Sequence, residues 1–104
     1  MKVNCIVCNS FICKHKVLYL TLKRVHFNKI LKKEKVEEYR EIKQYWAKRL
    51  LGKHYTHIQF RNGYQSDSPT ILIQYLGLGI NKHYEEKLCF TLRLGKIIKT
   101  ENIK

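Results

Sequence analysis

Val36-Glu37-Glu38-Tyr39-Arg40-Glu41-Ile42 (residues 36–42) decides the architecture, because β-branched and aromatic residues are set among charges there and the segment has two readings. As a short strand it sends odd and even positions to opposite faces. Otherwise it continues the helix expected just before it. Read as a strand, it gives the chain five strands, with two short helices between the first three. That order is the pattern of a small α+β barrel.

Upstream, Val17-Leu18-Tyr19-Leu20-Thr21-Leu22 is β-rich with Leu18, Leu20 and Leu22 on one parity, and predicts the first strand. From His26 to about Lys33, Phe27, Ile30 and Leu31 fall at the spacing that lines one helical face. Downstream, Gln44–Leu51 puts Trp46, Leu50 and the stem of Arg49 on one face, with Gly52 as a C-cap. His57–Phe60 predicts a third strand ending at Asn62-Gly63, a pair suited to a tight turn. Ile71–Leu78 is apolar on both parities, which predicts a strand covered on both sides. In the last strand Leu88, Phe90, Leu92 and Leu94 alternate with Cys89, Thr91 and Arg93.

At 104 residues the chain has room for one core. Residues 1–15 hold three of the four cysteines and no acidic residue; they read as an N-terminal extension, expected to be disordered, ahead of a domain at 16–104. Asn4, Asn9 and Ser10 interrupt the apolar stretch after Lys2, so no export signal is read there and a reducing, cytoplasmic setting is expected. No apolar run approaches the roughly 20 residues that span a bilayer, which predicts a soluble protein with no membrane partner. Cys5, Cys8, Cys13 and His15 offer four zinc-type ligands, but their spacing is irregular, and the expectation is no metal and no cofactor. The histidines form no His-Glu-x-x-His pattern and are assigned no catalytic role.

Lys and Arg total 21 against 8 Asp and Glu, a formal net charge of +13 that favours a polyanionic partner. The excess is uneven: residues 1–52 carry 13 basic and 4 acidic side chains, residues 53–104 carry 8 and 4. The densest cluster is Lys32-Lys33-Glu34-Lys35-Val36-Glu37-Glu38-Tyr39-Arg40-Glu41-Ile42-Lys43. By itself such a run is ordinarily a solvated face.

This cluster resembles the ASCH domain, in which a strand and a short helix lead into a Gly-x-Lys-x-x-Glu-x-Arg type motif lining a cleft. Lys35, Glu38 and Arg40 match its charged positions, and Lys33 stands where the family has glycine. The similarity runs from Val17 onward through Tyr45-Trp46-Ala47-Lys48-Arg49-Leu50, His57-Ile58-Gln59-Phe60-Arg61-Asn62-Gly63-Tyr64 and Leu92-Arg93-Leu94-Gly95-Lys96-Ile97-Ile98, and suggests a small stand-alone member of bacterial or phage type. The resemblance implies a PUA-like β-barrel and RNA or a nucleotide-like ligand as partner. The expected binding residues are Lys23, Lys35, Glu38, Arg40, Lys43, Tyr45, Arg61 and Tyr64, with the chain a monomer. Arg supplies a planar fork of donors, Lys a mobile charge, Glu an acceptor for a base amino group, and Tyr a stacking face. Tyr39 and Trp46 are further aromatic candidates, although Trp46 shares a helical face with Leu50 and is expected in the core.

Two other functions compete. The N4-acetylcytidine amidohydrolases resemble this chain in the barrel and in the motif lysine, which maps to Lys35; their catalytic threonine falls at Glu38, and Val36 replaces another threonine common in their nearest members. Their glutamate has no convincing counterpart in Glu85 or Glu86. Enzymatic activity would therefore centre on Lys35 alone. The remaining alternative is a bacterial or phage accessory protein that binds an acidic protein partner.

Overall fold

The computed structural model describes residues 6–8, 15–83 and 87–103. The elements run β1 (Val17–Thr21), α1 (Arg24–Leu31), β2 (Glu37–Glu41), α2 (Gln44–Leu50), β3 (His57–Arg61), β4 (Thr70–His83) and β5 (Lys87–Glu101). They form one curled, five-stranded sheet in the order β1-β3-β4-β5-β2, with two helices, so the α+β barrel-like class expected from the sequence holds. Residues 36–42 are a strand over Glu37–Glu41, not an extension of α1.

The reason lies at the end of α1. Lys33 adopts a left-handed conformation (φ 64°), its amide donates to the Ile30 carbonyl, and the Glu34 amide donates to the Lys29 carbonyl. That pair of bonds is a Schellman closure, which satisfies the last carbonyls and turns the chain away from the helix axis. A Cβ makes this conformation unfavourable by about 1–2 kcal/mol relative to glycine. Thus Lys33 accepts strain at the turn, and the helix, expected to about Lys33, ends two residues earlier at Leu31. The end of α2 is conventional: Gly52 has φ 71°, and the Tyr55 hydroxyl donates to the Arg49 carbonyl at 2.7 Å.

The β4–β5 hairpin is the spine. β3 pairs antiparallel with β4 over residues 70–74, whereas β2 pairs antiparallel with β5 over residues 89–93. From Leu72, inside the first of these stretches, to Gly77 the β4–β5 register shifts three times, and Gly77 has φ 135°. Register shifts of this kind bend a strand pair and increase its twist. The two edge strands, β1 (parallel to β3) and β2, curl towards each other, so that residues of both line one cleft and Arg40 of β2 reaches the Thr21 carbonyl of β1.

The core occupies the concave face. Leu18, Leu20, Phe27, Ile30, Leu50, Ile58, Phe60, Ile71, Ile73, Phe90, Leu92 and Leu94 form one buried cluster, so both helices pack their apolar stripes against inward-facing strand residues. Two strand expectations need correction. Double-sided burial in β4 covers Ile71, Leu72 and Ile73 but not Leu76, which is exposed where β4 runs past the end of β3. Leu88 is likewise exposed, near the far end of the hairpin. After β3 the chain turns at Asn62-Gly63, where Gly63 takes a positive φ of 118°, and the polar loop from Tyr64 to Pro69 leads into β4. There Asn62 donates from its amide to the Pro69 carbonyl and from its side chain to the Leu22 carbonyl, tying the loop to the end of β1.

Candidate functional site

The seam between β1 and β2 is an open cleft of about 690 Å³, flanked by His26 of α1 and by Tyr45, Trp46 and Arg49 of α2. This lies inside the usual range for a small-molecule or cofactor site. Register explains its chemistry. Glu38 pairs with Leu92, and Arg40 with Phe90, so both charged residues share the concave face with buried core residues. A strand that alternates in the ordinary way thus carries charge into the edge of the core.

Glu38 is 3 % exposed and organises the floor. Its carboxylate accepts from Lys35 Nζ at 2.6 Å on Oε1 and from Arg40 Nη1 at 2.8 Å on Oε2. Burial alone raises a carboxyl pKa, but the hydrogen bonds and charges of Lys35 and Arg40 outweigh it, so Glu38 titrates below its ordinary range and stays ionised. Lys35 Nζ also lies 3.2 Å from His26 Nδ1. An ammonium can only donate, so Nδ1 is the acceptor and the imidazole proton belongs on Nε2. Burial first, then the charge of Lys35, lower the His26 pKa, which keeps the ring neutral near pH 7.

The seam is bridged by guanidinium groups. Arg40 Nη2 reaches the Thr21 carbonyl and Arg49 Nη2 the Tyr19 carbonyl, both at 3.5 Å, so the edge of β1 meets side chains from β2 and α2. Arg40 also donates to the Tyr39 carbonyl at 2.8 Å and lies 5.1 Å from the Trp46 ring centre. Arg49 donates to the Tyr45 hydroxyl at 2.8 Å and sits over both Tyr45 and Trp46. Tyr45 and Trp46 meet edge to face with centroids 4.8 Å apart. Fixed rings under fixed cations form one wall of the cleft.

Of the residues expected from the sequence, Lys23, Lys35, Glu38, Arg40 and Tyr45 line this cleft together. Arg61 and Tyr64 line a separate hollow on the far side of β1. Lys43 lies outside both, paired with Glu41 at 3.3 Å on the exposed surface. Trp46 does both jobs open to it: it packs against the core and faces the cleft. Tyr19, His26 and Arg49 were not among the expected binding residues. Tyr19 had a legible cue in its parity opposite Leu18 and Leu20, and Arg49 in its i, i+4 spacing from Tyr45. His26 had none, because its partner Lys35 lies nine residues on, beyond the helix.

Among the described residues no group of three or more His, Cys, Asp or Glu side chains could hold a metal ion. Cys5 and Cys13 lie outside the described residues, as do Glu85 and Glu86, while Cys8 is exposed and the His15 ring meets that of His57 edge to face. No described helix is long and apolar enough to cross a membrane. No family model, curated protein or solved structure matches this chain.

Proposed function

We propose that the chain is a PUA-like domain of ASCH type that binds single-stranded RNA in the β1–β2 cleft. The observation that carries this reading is the convergence of Lys35, Glu38 and Arg40 on one floor beside the Tyr45–Trp46 wall. An ionised, buried carboxylate is an acceptor for a base amino group. Lys23, Arg49 and the outward side of Arg40 suit phosphate or carbonyl oxygens, and the aromatic wall suits a base face. The left-handed Lys33 at the family's glycine position, followed by the motif residues, supports the ASCH resemblance.

Affinity for a short, mixed-sequence single-stranded RNA tests the proposal. If about five phosphates are neutralised, log affinity falls with log salt at a slope of about −3.5. Arg40→Ala weakens binding; a flat salt response, or no binding at low salt, removes the reading. A hydrolytic role has a narrower basis, the Lys35–Glu38 pair inside the cleft. Incubation with N4-acetylcytidine separates the two: the binding reading expects no release of cytidine, and release that is lost in Lys35→Ala would establish the enzyme instead.

A further inference from the structure

A second, smaller hollow of about 230 Å³ lies on the outer face of β1 and β3, lined by Tyr19, Leu20, Thr21, Gln59, Arg61 and Tyr64. Its composition follows from register. The parallel β1–β3 pairing sets Tyr19 beside Gln59 and Thr21 beside Arg61, on the face opposite the buried Leu18, Leu20, Ile58 and Phe60. Tyr64 enters from the connection after β3 and is 88 % exposed, and Tyr19 is also largely exposed. Exposed tyrosines on a strand face and an adjoining loop are not needed by the core.

Arg61 is the distinctive member. Its side chain makes no hydrogen bond or ion pair among the described residues, and its Nε is buried without an acceptor. The guanidinium groups of Arg40 and Arg49 are each committed to protein oxygens; that of Arg61 is not. No acidic residue lines this hollow. A half-buried cation without a counter-charge favours an anion from outside, because desolvation of the guanidinium has gone uncompensated.

Tyr19, Leu20 and Thr21 line both this hollow and the cleft, so β1 is the lip between them. At about 230 Å³ the hollow is smaller than a typical whole-ligand site, which suits one part of a longer ligand. We infer that it is a second nucleotide subsite: single-stranded RNA held in the cleft crosses β1, with a phosphate at Arg61 and a base stacked on Tyr64. This rests on the RNA-binding reading of the cleft.

The test measures binding of a nucleoside 5′-monophosphate and of a short single-stranded RNA to the full chain and to Arg61→Gln, Tyr64→Ala and Tyr64→Phe. Arg61→Gln should weaken the oligonucleotide, which spans both sites, more than the mononucleotide, which the cleft alone can hold, and make the oligonucleotide's salt slope shallower by about 0.7, the loss of one phosphate contact. Tyr64→Ala should weaken the oligonucleotide by about tenfold, within the range of one lost stack, while Tyr64→Phe keeps wild-type affinity. Thermal melting checks that each variant folds. Unchanged oligonucleotide affinity and salt slope in Arg61→Gln would overturn the subsite and leave the cleft reading intact. A wild-type chain that binds neither ligand overturns both.

Discussion

Glu38 and Glu41 stand three residues apart on β2, each beside a basic partner, yet they occupy opposite extremes. Glu38 is held between Lys35 and Arg40, with side chains 4 %, 13 % and 15 % exposed; Glu41 meets Lys43 with both side chains more than half exposed. Residue type and local charge do not distinguish them. Three residues apart on a strand, the two side chains take opposite faces: Glu38 lies on the face of its partner Leu92, which is fully buried, and Glu41 takes the other face, opposite Cys89 near the end of the hairpin. A carboxylate removed from water is tolerated only with its hydrogen-bonding capacity met, whereas one in water loses little when its partner leaves. The buried acid is therefore structural and also chemically distinctive, and the exposed one is neither.

The largest expected effect comes from breaking the buried side of this contrast. Glu38→Gln leaves Lys35 and Arg40 enclosed without a counter-charge and should destabilise the fold by about 3–5 kcal/mol, the range for a buried pair with one partner removed. Urea denaturation measures it. A loss below about 1 kcal/mol would place Glu38 with Glu41 and end the distinction.

Acid titration tests the same contrast without mutation. The folded pKa of Glu38 is depressed below its ordinary 4.5, so its contribution to stability is complete above that value and is lost as pH falls through the folded pKa. His26, depressed below 6.5, acts in the same direction but over a higher window, losing its contribution as pH drops below about 6.5 because the unfolded ring takes up a proton first. Unfolding free energy measured against pH should thus fall in two stages, and His26→Gln should remove part of the upper stage while leaving the lower one.

A smaller effect separates the strained turn from the ion cluster it leads into. Lys33→Gly should stabilise the domain by about 1 kcal/mol by relieving the left-handed residue, with no change in the Glu38 titration. Smallest of all, Glu41→Gln should change stability by less than about 0.5 kcal/mol, since it removes only an exposed pair. A larger loss would show that Glu41, which also lines the cleft, is held by more than Lys43.

Much of the fold was legible because local patterns carried it. The leucine parity of β1, the Phe27–Ile30–Leu31 stripe of α1 and the Phe90–Leu92–Leu94 alternation of β5 each state which face is buried, and the structure buries those faces. Five of the expected binding residues also meet in one cleft. Less legible were the ends of elements and the partnerships across the seam. The length of β4 beyond β3 and the exposure of Leu76 depend on how far a neighbouring strand extends, which no window of β4 contains.

By itself, then, the sequence determined the kind of molecule: a small basic α+β chain whose strands and helices follow from hydrophobic period, and whose charge concentrates before Gly52. Tertiary structure alone decided which members of the charge run at 32–43 are withdrawn from water. Alternation along β2 says that Glu38 and Arg40 share a face, but whether that face meets water or core depends on pairing with β5 and on the bend at Gly77. Those long-range contacts turn one carboxylate into the enclosed floor of a cleft, leave another on the surface, and put β1 between the cleft and a second hollow. Burial belongs to the assembled sheet, and with it come the dielectric and the pKa that give the same residue types different chemistry.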